Sequence, residues 1–261
     1  MTGRALVTGA GRRLGRAMAL YLAGRGHDVA VHYATSRDEA EAVAAEIRAM
    51  GRNAEAVHAD LLVEDETATL IARSVAALGG PLTVLVNNAS VFEYDNLASA
   101  TRRSWDRHME SNLRAPFVLI QGFAAQAPDP ATDAAGEPVA RALVVNMVDQ
   151  RVLKLTPEFT SYTIAKMGLW ALTQTAAQAL APRVRVNAIG PGPTMKGARQ
   201  SEGHFARQRA ATILHRGANA DEIAAALGYF LDATSVTGQL LCVDGGQHLA
   251  WQTPDILGLE G

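Results

Sequence analysis

The chain has 261 residues, of which 48% are apolar and 19% charged, with a net charge of −2. That composition suits a folded globular unit, and the near balance of charge gives no electrostatic footprint for nucleic acid or an anionic membrane surface. One cysteine, Cys242, excludes an internal disulfide framework, no Cys/His spacing marks a zinc site, and no apolar run is long enough for a bilayer.

The strand-like Arg4-Ala5-Leu6-Val7 opens the series with no leader segment ahead of it, so a cytoplasmic protein is expected. Helical spacing follows over Arg16 to Ala23, a second strand over Val29 to Tyr33, and an Ala/Glu-rich helix over Asp38 to Met50. Ala54 to His58 reads as the third strand, Glu64 to Leu78 as a helix, and Leu82 to Val86 as the fourth strand. One long helix is predicted from about Thr101 to Gln126, then a surface loop over Pro128 to Pro138. Leu143 to Val145 is the fifth strand, Tyr162 to Leu180 a helix, Val184 to Val186 the sixth strand, Asp221 to Leu231 a helix and Leu240 to Val243 the seventh strand. Strict β-α alternation predicts an α/β fold: a doubly wound, Rossmann-type parallel sheet of seven strands with helices on both faces, in one domain spanning 1–261. Between the last helices, the irregular stretch 190–217 lies on the side where such sheets bind ligands, and is expected to be a substrate lid.

The first strand runs into Thr8-Gly9-Ala10-Gly11-Arg12-Arg13-Leu14-Gly15. Glycine at a strand-to-helix turn lets the backbone approach a pyrophosphate, and the helix N-terminus favours its charge. The spacing is not GxGxxG, so its place in the first βαβ unit carries the assignment. The second strand ends His32-Tyr33-Ala34-Thr35-Ser36-Arg37 without the carboxylate that commonly binds the ribose hydroxyls of NAD. Arg13, Ser36 and Arg37 are suited to a 2′-phosphate by charge-assisted hydrogen bonds, so NADPH is the expected cofactor. Asp60-Leu61 after the third strand is placed for the adenine, and Asn87-Asn88-Ala89 after the fourth for close cofactor approach.

Tyr162-Thr163-Ile164-Ala165-Lys166 puts a phenol and an ammonium four residues apart, on one face of a helix. A nearby cation stabilises a phenolate and makes the phenol a better proton donor. With the Thr8–Gly15 turn, Asn87-Asn88-Ala89, Asn112, Pro191-Gly192 and Asp244-Gly245-Gly246, this motif resembles the ordered set of the short-chain dehydrogenases/reductases across almost the whole chain. The resemblance implies hydride transfer from nicotinamide C4, with Tyr162 as proton donor. It further implies that Lys166 binds the nicotinamide ribose and lowers the tyrosine pKa, that Asn112 holds a water-linked proton relay, and that the chain forms a homotetramer through its long central helices. Gly9, Leu14, Gly15, His32, Tyr33, Asn88, Ala89, Ser90, Tyr162, Pro191 and Gly192 join the expected cofactor set.

One departure is informative. Thirteen residues before the tyrosine, where that family usually has serine, stands Asp149. A serine hydroxyl can donate to a substrate oxyanion, whereas an ionised Asp only accepts and would repel it. It suits a substrate offering N–H groups, or a ring nitrogen that gains a proton; protonated, it would imitate serine. This change resembles the pteridine reductase branch, as do Arg13 in place of a middle glycine and His32-Tyr33 with Ser36. Phe92, with Ser90 near it, falls where that branch stacks a phenylalanine on the pterin. The resemblance implies reduction of a C=N bond in a dihydropterin or dihydrofolate-like substrate, with Ser90, Phe92, Asp149 and Tyr162 around it. The alternatives are a ketone, aldehyde or other imine reductase of the same fold, and a non-catalytic NADPH-binding sensor.

Overall fold

The computed structural model describes residues 3–197 and 200–252. Strands β1 (Arg4–Val7), β2 (Asp28–Tyr33), β3 (Ala54–His58) and β4 (Val84–Asn87) are linked by helices α1 (Arg13–Gly24), α2 (Arg37–Ala49) and α3 (Glu64–Leu78). After β4 come α4 (Arg102–Met109), a π-helical turn (Glu110–Arg114) and α5 (Ala115–Gln126). A two-stranded hairpin, β5 (Ala131–Thr132) and β6 (Pro138–Val139), occupies the stretch expected as a surface loop. The chain continues through β7 (Ala142–Met147), α6 (Thr160–Leu180), β8 (Val184–Pro191), α7 (Glu202–Ala210), α8 (Ala220–Asp232) and β9 (Leu240–Val243).

The main sheet has seven strands in the order β3-β2-β1-β4-β7-β8-β9, parallel at every pairing, which is the doubly wound Rossmann-type order in a single domain. Strand side chains alternate between two cores, as the period of two requires. Ala5 and Val7 of β1 face Met18 and Leu22 of α1, Ile47 of α2 and Leu227 and Phe230 of α8. Leu6 faces the other way, toward Leu70 of α3, Leu119 and Phe123 of α5 and Ala176 of α6. Phe123 and Phe230 are wholly buried, one on each side; each contributes about 2–3 kcal/mol by its burial.

Helix α3 has the predicted bounds, because three acids open it and Gly79, at φ 70, closes it in the left-handed conformation. The expected continuous helix over 101–126 is instead interrupted by the π turn. Pro116 follows within the next turn and has no N–H to give the carbonyl of Asn112, four residues earlier. The stretch 190–217 is not wholly irregular either, since it contains α7. Ala198 and Arg199 of that stretch lie outside the described residues. No described helix is long and apolar enough to cross a membrane.

Candidate active site

All the motif residues gather at the C-terminal edge of the sheet, on both sides of the point between β1 and β4 where the strand order reverses. The Thr8 hydroxyl accepts the amides of Asn88 and Ala89, each at 2.9 Å, and Asn88 Nδ2 donates to the Thr8 carbonyl at 2.8 Å, so the ends of β1 and β4 are tied together. A Cβ on Gly15 would lie 2.2 Å from the Gly9 carbonyl oxygen, which leaves glycine as the residue that fits. Helix α1 has no side-chain cap and no acid in its first turn, whereas α2 and α3 each begin with acids. Its first amides are therefore left to an anion, and the cradle fits a dinucleotide pyrophosphate. Leu14 packs beneath the turn against the core.

Two residues assigned to direct cofactor contact have other work. The His32 imidazole is buried: Nδ1 accepts the Gly9 amide at 2.9 Å, and Nε2 lies 3.0 Å from the Ala59 carbonyl. It shapes the turn from below and has no free nitrogen for a ligand. Burial lowers its pKa to about 4. Tyr33 is buried too, edge-on to His58. The Arg13 guanidinium, expected at a 2′-phosphate beside Ser36, reaches the stretch after β8 and donates to the carbonyls of Met195 (2.9 Å) and Lys196 (2.6 Å). The backbone sets this direction, because Arg13 begins α1 in the left-handed conformation at φ 53. The cation on the α2 side is Arg12, paired with Glu39. There Gly11 abuts Ser36 so closely that an added Cβ would lie 3.2 Å from the hydroxyl. Arg37 begins α2 and is exposed. Asp60 stabilises its own turn by accepting the Leu62 amide at 3.0 Å, and Leu61 is buried.

Tyr162 and Lys166 project from the first turns of α6, which itself packs against β8. The phenol donates to Asp149 Oδ2 at 3.0 Å. Asp149 caps a short 3-10 turn, Gln150–Leu153, through Oδ1 and the Arg151 amide at 2.8 Å. One carboxylate oxygen is thus held by the backbone while the other faces the tyrosine. Burial raises the Asp149 carboxyl above the usual carboxylate range. Burial, and then the facing carboxylate, push the Tyr162 phenol well above its ordinary value, with the Ser90 hydroxyl and Arg151 acting in the opposite direction. This differs from the expectation that Lys166 lowers that pKa. Lys166 Nζ donates to the Met147 carbonyl at 2.7 Å and lies 5.7 Å from the centre of the Tyr162 ring, so Asp149 is the charge that dominates at the hydroxyl. Burial lowers the Lys166 pKa to about 8.

Asn112 sits in the π turn, fully buried, with both ends of its amide on the Val91 backbone at 2.9 Å. Its side chain clamps the loop that carries Ser90 and Phe92, leaving only its backbone for a proton relay. Phe92 is 54% exposed, stacks on Phe159 at 4.5 Å and meets the Tyr162 ring edge-on at 4.7 Å. Phe92 is thus held between Phe159 and the phenol ring, with more than half of its surface in solvent. Gly192 packs on Asp244 so closely that an added Cβ would lie 2.6 Å from its Cα, which joins Pro191-Gly192 to the Asp244-Gly245-Gly246 turn.

Arg12, Asp95, His108, Arg151, Phe159 and Ser161 join the site without having been expected there. Arg12 was legible as a second cation in the glycine turn. The others come from separate segments and meet only through tertiary packing.

Against known proteins, the family model described as enoyl-(acyl carrier protein) reductase matches residues 9–248. A 3-oxoacyl-[acyl-carrier-protein] reductase, FabG, of Staphylococcus aureus is 34% identical over 254 residues, covering 95% of this chain and 99% of that one. The chain belongs to the short-chain dehydrogenase/reductase family. Within the family, the structure of FolM alternative dihydrofolate reductase 1 from Brucella suis, in complex with NADP, is 44% identical, covers 97% of each chain and superposes with a TM-score of 0.89. A short-chain dehydrogenase from Burkholderia cenocepacia, also in complex with NADP, is 31% identical, covers 94% of this chain and 97% of its own, and gives a TM-score of 0.85.

Proposed function

We propose that the protein is an NADPH-dependent oxidoreductase that reduces a C=N bond in a dihydropterin or dihydrofolate-like compound. The observation that carries this reading is the Asp149 carboxylate bonded to the Tyr162 hydroxyl at 3.0 Å, beside the exposed ring of Phe92. NADPH supplies the hydride when bound. The uncapped amides of α1 bind its pyrophosphate, and Arg13, at the head of that helix, lies beside it. Ser36 with Arg12 and Arg37 receives the 2′-phosphate. Asp60 and Leu61 border the adenine, Asn88, Ala89, Pro191 and Gly192 line the path to the nicotinamide, and Lys166 holds its ribose.

The remaining chemistry belongs to the chain's own groups. Reduction of an imine leaves a nitrogen that must take up a proton. Tyr162 keeps its proton at neutral pH because burial and Asp149 both favour the neutral phenol, and it releases that proton only as the nitrogen becomes basic. Asp149 accepts N–H groups of the ring and favours positive charge gathering there, whereas it would oppose a developing oxyanion. The flat heterocycle stacks on Phe92, and Ser90 borders both substrate and phenol. The stretch 190–217 covers the site as its lid. The homotetramer that the family implies fits the apolar depression between α5 and α6, lined by Phe117, Ile120, Leu172 and Leu180. The cytoplasm suits such an enzyme.

A panel of dihydrobiopterin, dihydromonapterin, dihydrofolate and simple ketones tests the reading. Asp149→Ser should lower kcat/KM for the best pterin by about 100-fold, the scale of a lost acid–base partner, and lower ketone turnover less. Turnover of ketones alone by the wild type would overturn it. The second reading, a ketone reductase, draws on the likeness to the Staphylococcus aureus 3-oxoacyl reductase and on the raised Asp149 pKa, since a protonated carboxyl can donate as serine does.

A further inference from the structure

Behind the phenol, Asp95, Ser161 and His108 meet from three different segments, and none of them is more than 5% exposed. Asp95 lies in the loop after β4, His108 in α4, and Ser161 is the residue before Tyr162. The Glu93 amide donates to His108 Nε2 at 3.1 Å, so that nitrogen accepts and the ring proton is on Nδ1. Nδ1–H then donates to the Ser161 oxygen at 2.7 Å, and the Ser161 hydroxyl donates to Asp95 Oδ2. Every donor in this chain has one acceptor, and all point toward the carboxylate. The residue types are those of a hydrolytic triad, but the serine donates to the aspartate and lies out of reach of any substrate, so it cannot act as a nucleophile.

The chain holds the groups around it. Asp95 Oδ1 accepts the Ser161 amide at 3.1 Å, and its backbone carbonyl accepts the Phe159 amide at 2.7 Å, which caps α6 from another segment because Phe159, at the cap position, offers no side-chain cap. Phe159 is thereby kept at φ 59, a left-handed conformation that is strained for a bulky residue. In that conformation its ring stacks on Phe92. On the other side, the Glu93 amide fixes the residue next to Phe92, and the His108 ring packs edge-on to Tyr162 at 5.9 Å. Although burial pushes the Asp95 carboxyl up, hydrogen bonds from Ser161 hold it below the usual range, and burial keeps His108 neutral.

We propose that Asp95, Ser161 and His108 are positioning residues that set substrate specificity by fixing the Phe92–Phe159 wall relative to the Tyr162 hydroxyl. The inference rests on the reading of Phe92 as the surface that bears a flat substrate. Since Phe92 holds substrate and transition state alike while Tyr162 keeps its own bond to Asp149, loosening the wall changes KM rather than kcat.

Two measurements test it. Kinetics are run on the best substrate of the panel, so a wild type that refuses pterins overturns the pterin reading while this comparison remains readable. Ser161→Ala should raise KM three- to tenfold with kcat within twofold, and Ser161→Thr, which restores the hydroxyl, should return KM to within twofold. Asp95→Asn gives the same comparison if Ser161→Ala does not fold. An unchanged KM, or a loss confined to kcat, overturns the proposal. Independently of any substrate, nitrogen-correlated NMR of the NADPH-bound wild type at pH 8 should show His108 as the neutral Nδ1–H tautomer. An Nε2–H tautomer overturns it as well.

Discussion

The cofactor side and the substrate side of the cleft are built on different principles. In the cradle formed by β1, β2 and β4, recognition rests on backbone: uncapped amides, glycines packed on carbonyls, and buried Thr8 and His32 with half-buried Asn88, which bind main chain from beneath. Across the cleft, side chains make the surface. Phe92, Phe159, Tyr162 and Asp149 come from loops and helix ends, and Phe92 is more than half exposed. The first side binds a constant ligand and can be rigid; the second can change its substrate by exchanging a few side chains without disturbing the sheet.

The sharpest way to probe this difference is Tyr162→Phe. Removing one hydroxyl from the substrate side should lower kcat by about 10²–10⁴, the scale of a positioned proton donor, while NADPH affinity measured by fluorescence titration stays within about threefold, because the cradle is untouched. Loss of cofactor binding to the same extent would break the separation.

The cradle should instead reveal itself through stability. The buried His32 has a folded pKa of about 4 against 6.5 for an ordinary imidazole. The unfolded chain therefore takes up that proton first as pH falls. The stabilisation is complete above pH 6.5 and is lost on acidification toward pH 4, amounting to about 3 kcal/mol in all. Urea unfolding of the wild type and His32→Gln between pH 7 and 4.5 measures it: the variant should be less stable at pH 7, and the two curves should converge at the acid end. Parallel curves would show that His32 does not carry the effect.

The smallest effect is expected at Phe92. Phe92→Ala should raise KM for the flat substrate about tenfold, equal to about 1.4 kcal/mol, with the melting temperature shifted by less than about 2 °C because the ring is largely in solvent. A large fall in melting temperature would assign Phe92 to the fold rather than to the site.

Legibility follows the same division. The cradle could be read because its requirements act on residue type at fixed local spacing: glycine where Cβ cannot fit, threonine and asparagine where strand ends are tied, and no acid where a phosphate approaches. Asp149, Tyr162 and Lys166 were legible for a related reason, since the helix places Lys166 one turn beyond Tyr162 and Asp149 closes the adjacent strand. The direction of Arg13 was not legible, because a left-handed backbone angle aims its side chain at the carbonyls of Met195 and Lys196, and a residue name does not carry that angle. His32 was misread because a polar residue at a strand end reads as ligand-facing until the packing beneath the turn is seen.

By itself the sequence determined the parallel sheet, the glycine turn, and the pairing of a phenol with a carboxylate in place of a serine, because periodicity and local spacing act over a few residues and survive without tertiary information. Only the folded chain decided which cation reaches the backbone of Met195 and Lys196, which charge governs the phenol, and that Asp95, His108 and Ser161 converge behind it. Those outcomes depend on contacts between segments up to 183 residues apart, whose relative directions are fixed by packing and burial.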